Sequence, residues 1–563
     1  MCGSYRKIYL ASALPSIASS LIILPPSSIS NRCCHYSKHV NSCSRYASIK
    51  YAHKDDVIKG ENDDKYVLEW KEDMIDSIRA TNIKSNTVND DGHLFNAELF
   101  SASKAWGRRP FLLRNAFDAD KLMILDDDSS MQEADDDDDN DGEFGPWPSW
   151  HDVVDIATDE DAESRIISHI PGDYSTFDIE WGALSDAKFD AWLSKETAAE
   201  AITNQEAEHA RKETLVVNDI DRFHPPLADW IYDTFDFIPN WRMDDGQISL
   251  AEVSGGIGPH VDNYDVFLIQ MNGSRTWQVG KRKIDATEER DRLIDGIDVR
   301  VLSDWKYEHG VDNTNVEEWV LNPGDMLYLP PRVPHCGIAL SAGCMTLSVG
   351  CRAPSVSDLV SRLAERFSNS VEDFAVRRYT DDDLLDDDDD GSSDNFSPGE
   401  ITAKAKEDAK HLVLNALQNM IDDDSVWDEF FGRYVTEPKR LRNNYPIPLE
   451  DDDECDGPTV QDVLNGCGML YHAEGICFSY SEVTSEGLSG TTTTIYRLFV
   501  NGEMWESDSV DDGILYETLA NNRMLDESVL LVLASIKNDV IREKNIEFLE
   551  ELVSIGLLYC SEE

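Results

Sequence analysis

The chain has 563 residues, 41% of them apolar, enough for sizeable cores and about two to four domains. Its formal net charge is −60 at pH 7 and its isoelectric point is near 4.3, so it repels phosphate and argues against direct nucleic-acid binding. Eleven cysteines are scattered without a C-x-x-C pair, which argues against a disulfide framework or a zinc ribbon.

Residues 1–54 carry seven Lys or Arg and no Asp or Glu, and are rich in serine. That pattern predicts a transit leader for the mitochondrion or the plastid, with the cytoplasm as the alternative. The apolar run from Ile8 to Leu24 is broken by serines and Pro15, too short and interrupted to span a membrane, and no other segment predicts one. Residues 55–91 read as a poorly ordered lead-in. Aspartate runs at 126–128, 135–139, 381–383, 386–390 and 451–453 read as solvated loops. They mark an insertion at about 118–146, a loop at 379–400 and a linker at 449–458. Attraction to a basic partner is the alternative role for them.

The stretch Gln247–Gly280 alternates short apolar runs with Ser254-Gly255-Gly256 and Asn272-Gly273, the pattern of strand, turn, strand, hairpin turn, strand. Within it, His260 and Asp262 are two residues apart, so beside a strand they face one way. A second histidine, His335, follows the turn Asn322-Pro323-Gly324-Asp325, the apolar Met326–Leu329 and the Pro-rich segment 330–334. Two histidines and a carboxylate form the facial triad of non-haem Fe(II), which leaves positions open for a chelating cosubstrate and O2. A three-ligand zinc hydrolase competes for the same residue types. Arg275, opening the next strand, favours iron: a buried guanidinium there would hold a dicarboxylate such as 2-oxoglutarate. Cys336, Cys344 and Cys351 lie near this site and read as small buried residues rather than ligands.

Downstream, Val356, Leu359, Val360 and Leu363 recur at helical spacing, and a helical stretch from Ile401 to Tyr434 carries Leu412, Leu414, Leu417 and Ile421, then Trp427, Phe430 and Phe431. The run Ile495–Val500 before Asn501-Gly502 predicts a hairpin. Residues 459–563 hold 19 acidic and 5 basic side chains, which leaves no basic face for phosphate.

The segment Gly258–Gln270 (G-P-H-x-D-x-Y-D-V-F-x-I-Q), with Trp241–Asp245, resembles the JmjC-type ribosomal oxygenases of the cupin superfamily. It is most similar to the bacterial branch that 3-hydroxylates an arginine of ribosomal protein L-sixteen. Arg108–Arg114, Glu163–Ser168 and Ser348–Pro354 extend the resemblance over about residues 92–560. It implies an α+β fold: a double-stranded β-helix at 92–355, a helical dimerisation region at 356–448 and a winged-helix-like domain at 459–563. It further implies His260, Asp262 and His335 as iron ligands, Arg275 as the 2-oxoglutarate anchor, and Thr346 and Ser348 as lining of the cosubstrate pocket. Thr346 stands where the relatives are expected to have asparagine.

The implied function is Fe(II)-, 2-oxoglutarate- and O2-dependent hydroxylation of a ribosomal protein by a homodimer, with an arginine of organellar L-sixteen as target. The alternatives are histidine hydroxylation of another ribosomal protein, histone lysine demethylation on a related barrel, and a non-catalytic cupin scaffold.

Overall fold

A computed structural model describes residues 95–123, 145–197, 210–293, 300–302, 305, 316–370, 378–380, 401–438, 458–486, 492–536 and 539–561. The expected leader, the lead-in at 55–91 and the aspartate runs lie outside the described residues.

The strands of the first half are β1 Phe111–Leu113, β2 Ser164–Ile170, β3 Asp173–Trp181, β4 Lys212–Val217, β5 Met243–Ala251 and β6 Asp265–Asn272. They continue with β7 Arg275–Gly280, β8 Val316–Leu321, β9 Met326–Leu329, β10 His335–Ala339 and β11 Cys344–Cys351. Among the described residues they form an eight-stranded sheet, ordered β1-β9-β6-β11-β5-β4-β2-β3, and a three-stranded sheet, ordered β10-β7-β8. Neighbouring strands pair antiparallel throughout.

Strand β6 shows why these residues build a two-faced wall. It is buried on both sides except at its last residue, so alternate side chains serve different cores. Phe267, Ile269 and Met271 point to the outer core with Trp150, Trp230 and Phe235; the Phe267 and Phe235 rings lie 4.7 Å apart. Val266 and Leu268 point inward, meeting Trp277, Val279 and Leu321 of the smaller sheet. Burying each such side chain contributes roughly 1.5–3 kcal/mol.

The turn before β9 joins the opening segment to the barrel. Gly324 has φ +84°, and a Cβ there would lie 2.3 Å from the Phe117 carbonyl oxygen, so both conformation and space call for glycine. Asp325 accepts from Arg114 Nη1 at 2.7 Å and from the backbone N–H groups of Asn115 and Asn322. These bonds pin β1 against β9. Residues Ala119–Leu122, within the span expected for the acidic insertion, are helical, Leu122 is buried, and Met123 bridges Trp147.

After β11, helices span Val356–Ser370, Ala403–Ile421 and Asp424–Thr436. The expected single stretch from Ile401 to Tyr434 is thus two helices, broken where the Asp423 side chain accepts from the Ser425 and Val426 N–H groups as an N-cap. Leu363, Met420, Phe430 and Tyr434 form a core here. Val356 and Val360, which share helical spacing with Leu363, face solvent, as do Val413 and Leu414.

The C-terminal part has β12 Met469–His472, β13 Phe478–Glu486, β14 Thr492–Val500, β15 Glu503–Ser507, β16 Met524–Leu525 and β17 Leu558–Ser561. Strands β13, β14 and β15 form a meander whose second turn is Asn501-Gly502, and β16, β12 and β17 a second small sheet. Helices Val510–Asn521, Glu527–Ser535 and Asp539–Ser554 close its own core. Arg523 fastens it to the barrel domain through Asp229 at 2.8 Å, and Asn240 Nδ2 donates to the Ala520 carbonyl. Among the described residues no helix is long and apolar enough to cross a membrane.

Candidate active site

The site lies between the two sheets, where β10 and the loop between β5 and β6 cross. His260 and His335 exchange backbone hydrogen bonds of 3.0 and 2.9 Å, a single antiparallel bridge that sets the two histidines side by side. Gly256 makes that approach feasible: a Cβ there would lie 2.2 Å from the Gly337 carbonyl oxygen.

The side chains of His260, Asp262 and His335 each bring one ligand atom within 4.8 Å of the others, and this is the one such group among the described residues. His260 Nε2 lies 3.7 Å from Asp262 Oδ1, and His335 Nε2 3.5 Å from Asp262 Oδ2. Each imidazole turns Nδ1 to a backbone carbonyl, Gly258 at 2.9 Å for His260 and Val333 at 3.0 Å for His335. A carbonyl only accepts, so the proton sits on Nδ1 and the Nε2 lone pair faces the carboxylate. Metal-binding histidines are oriented in this way. Burial, helped by neighbouring His260, pushes His335 down to about 4, so the ring is neutral and available as a ligand at neutral pH. This donor set fits a divalent transition metal with several positions left open.

Arg275 is 1% exposed. Its Nη1 donates to Ser249 Oγ at 2.9 Å, while Nε and Nη2 are buried without a partner. A buried guanidinium in this state is costly unless an anion completes it. Arg275, Ser249, Trp277, Leu268 and Ser348 line the same small cavity as the three metal-type residues. The cation and the triad therefore face one enclosed space, which suits a ligand carrying a carboxylate at one end and a chelating group at the other.

Ser348 lines that space. Thr346 lies two residues along β11 on the same face, deeper in the wall, and its hydroxyl donates to Gln270 Oε1 at 2.9 Å, outside the cavity lining. It braces β11 against β6. Cys336, Cys344 and Cys351 are buried; Cys336 Sγ lies 3.2 Å from the Tyr174 hydroxyl, and burial pushes its thiol up to about 12, so it remains protonated.

Sequence reasoning missed Ser249, Gln247, Tyr264 and Asn218. Ser249 interrupts the apolar Ile248–Leu250 run on the face that carries Ser348's partner Gln247, and that alternation was its available signal. Above the triad opens a cleft of ≈ 340 Å³ lined by Asp244, Asp245, Gln247, Tyr264, Asn218, Arg165 and Arg300, with His260 and Asp262 at its base.

Residues 230–359 match the JmjC domain family. The chain is 25% identical over 399 residues to a probable ribosomal oxygenase of Haemophilus influenzae, covering 71% of this chain and 84% of that protein. It is 26% identical over 323 residues to the ribosomal protein uL16 3-hydroxylase of Escherichia coli, covering 57% and 73%. A crystal structure of E. coli YcfD superposes with a TM-score of 0.56 at 21% identity, covering 83% of this chain and 99% of that one. The same E. coli ribosomal oxygenase in complex with cobalt and 2-oxoglutarate gives 0.53 at 21% identity, with the same shares covered. Residues 230–359 thus match the JmjC domain, the chain shares the fold of the E. coli ribosomal oxygenase YcfD, and its sequence is similar to bacterial ribosomal oxygenases over most of their length.

Proposed function

We propose that this chain is an Fe(II)- and 2-oxoglutarate-dependent protein hydroxylase whose substrate is an arginine of ribosomal protein uL16 (L-sixteen) in an organelle. The observation that carries the cofactor reading is Arg275: a buried guanidinium with two unpartnered nitrogens in the cavity of a His-Asp-His triad. In this reading His260, Asp262 and His335 hold the metal, and Arg275 with Ser249 fixes the distal carboxylate of 2-oxoglutarate. Trp277 and Leu268 exclude water from the space between them. When bound, this pair of cofactors supplies oxidative chemistry: 2-oxoglutarate is decarboxylated to succinate, and one atom of O2 enters a substrate C–H bond.

Arginine as target is supported by Asp244 and Asp245, carboxylates in the cleft above the triad that would receive a cationic side chain. The name of the E. coli relative agrees. Organellar residence rests on the acid-free, serine-rich composition of residues 1–54. A homodimer through the helical region is supported by the exposed Val356, Val360, Val413 and Leu414. Histidine hydroxylation is the second reading. A Brugia malayi protein named bifunctional lysine-specific demethylase and histidyl-hydroxylase NO66 is 32% identical over 115 residues, though the match covers only 15% of it.

Mass spectrometry of organellar and cytosolic ribosomal proteins after incubation with the protein, Fe(II), 2-oxoglutarate and O2 tests the assignment. A gain of one oxygen on a uL16 arginine, absent with His260→Ala, is the expected result. The same gain on a histidine replaces the substrate and keeps the chemistry, and no gain on any ribosomal protein rejects the substrate class.

A further inference from the structure

The segment between β7 and β8 grips the metal-side loop from behind. The Leu302 N–H donates to the Pro259 carbonyl at 2.8 Å, next to His260. Ile284 and Arg332 exchange contacts across the same seam: the Ile284 N–H donates to the Arg332 carbonyl at 2.9 Å, and Arg332 Nε donates to the Ile284 carbonyl at 3.0 Å. At the centre of this seam is Glu289, on the short helix Ala286–Arg290, a carboxylate with 0% exposure. Its Oε2 accepts from Arg332 Nη1 at 2.5 Å, and its Oε1 pairs with Arg300 Nη2 at 2.6 Å.

The two arginines lead to different parts of the site. The Arg332 N–H donates to the Asp262 carbonyl at 2.8 Å, and its Nη1 also donates to Asn263 Oδ1 at 3.0 Å. Both bonds hold the strip of chain that aims the Asp262 carboxylate. Arg332 also has φ +72°, a left-handed conformation disfavoured for a side chain with a Cβ. Such a conformation persists where surrounding bonds over-determine it, and the Glu289, Asn263 and Ile284 contacts do so here. Arg300 lines the cleft above the triad.

We infer that Glu289 is a positioning residue: its buried carboxylate holds Arg332 so that Asp262 presents its ligand oxygen to the metal, and it ties the same scaffold to Arg300 at the cleft. The inference rests on the metal-centre reading of His260, Asp262 and His335. It assigns no substrate contact to Glu289. Removing its charge releases Arg332, and the Asp262 loop loses its fixed position while both histidines stay in place.

Co(II) binding to the full chain, followed by its visible absorption, tests this without turnover. Partners behind metal ligands are typically worth about 10- to 100-fold in affinity, so Glu289→Gln should weaken Co(II) binding by that factor and alter the ligand-field bands. Arg332→Lys, which keeps the charge but loses the planar fork that holds Ile284 through Nε and Glu289 and Asn263 through Nη1, should move affinity and spectrum in the same direction. Arg300→Ala leaves the Arg332 bond to the other Glu289 oxygen in place and should move both far less than Glu289→Gln does. Should Glu289→Gln fail to fold by thermal melt, Arg332→Lys and Asn263→Ala decide the matter. Unchanged Co(II) affinity and spectrum in the folded variants would overturn the positioning role, with the metal centre intact. Failure of the wild-type chain to bind Co(II) would overturn the metal-centre reading itself.

Discussion

The barrel interior and the helical region after it depart from the usual rules of burial in opposite ways. Inside the barrel, polar atoms that should be paired are not: Arg275 keeps two buried nitrogens without partners beside three converging ligand-type side chains. On the helices Val356–Ser370 and Ala403–Ile421, apolar side chains that should be covered are not, with Val356 79% and Leu414 59% exposed. An unpaired buried cation costs far more than a solvated valine. The first departure therefore points to a small charged ligand held in a fixed place, the second to a protein surface that adds weaker, additive contacts. The first underlies the proposed cofactor pair, the second the proposed contact between two copies.

The comparison breaks most visibly at the metal ligands. His260→Ala should lower 2-oxoglutarate turnover to succinate by more than about 100-fold, since even partners behind the ligands are worth up to that much. Its melting temperature should change little. Phe267→Ala reverses the pattern. It leaves the site chemistry in place and removes a fully buried ring that packs on Phe235, costing about 3–5 kcal/mol in denaturant unfolding. Arg275→Gln should weaken 2-oxoglutarate binding by at least about 2 kcal/mol, roughly 30-fold, because one partner of a buried charge pair is lost. Equal affinity in wild type and variant would show that the guanidinium faces no ligand.

A smaller effect comes from two buried histidines outside the triad. Burial, and then Arg523, holds His472 down at about 3; burial, and then Arg211, holds His169 at about 4. Their folded values lie below the unfolded one of about 6.5. The unfolded chain therefore takes up protons first as pH falls, and stability drops from about pH 6.5 to about 4 for His169 and to about 3 for His472. At pH 5 each histidine should cost about 2 kcal/mol relative to pH 7. Unfolding titrations at both pH values check this, and His472→Gln should show a shallower dependence. The smallest stability effect belongs to the helical face: Val360→Glu should change protomer stability by no more than about 0.5 kcal/mol. It should nevertheless shift sedimentation from dimer to monomer if that face joins two copies.

The site was legible where chemistry is written in short spacing. His260 and Asp262 are two apart, His335 follows a Pro-rich turn, and Arg275 follows Asn272-Gly273; the fold brings all four to one cavity. What escaped notice depends on long-range packing. Glu289 and Arg332 are 43 positions apart and look like ordinary surface charges until the chain buries one and threads the other behind Asp262. Thr346 sits on the correct face of β11 but one step too deep, where Gln270 takes its hydroxyl. Periodicity found the helices after the barrel. It did not find the break at Asp423, which is set by a capping bond, nor that Val356 and Val360 face outward.

The central claim is that the triad and Arg275 serve one ligand pair. Calorimetric titration of 2-oxoglutarate into the anaerobic protein, with and without Fe(II), addresses it most directly. The account predicts binding that requires the metal, is lost in His260→Ala and is strongly weakened in Arg275→Gln. Binding indifferent to metal and to both substitutions, or no binding at all, would contradict it.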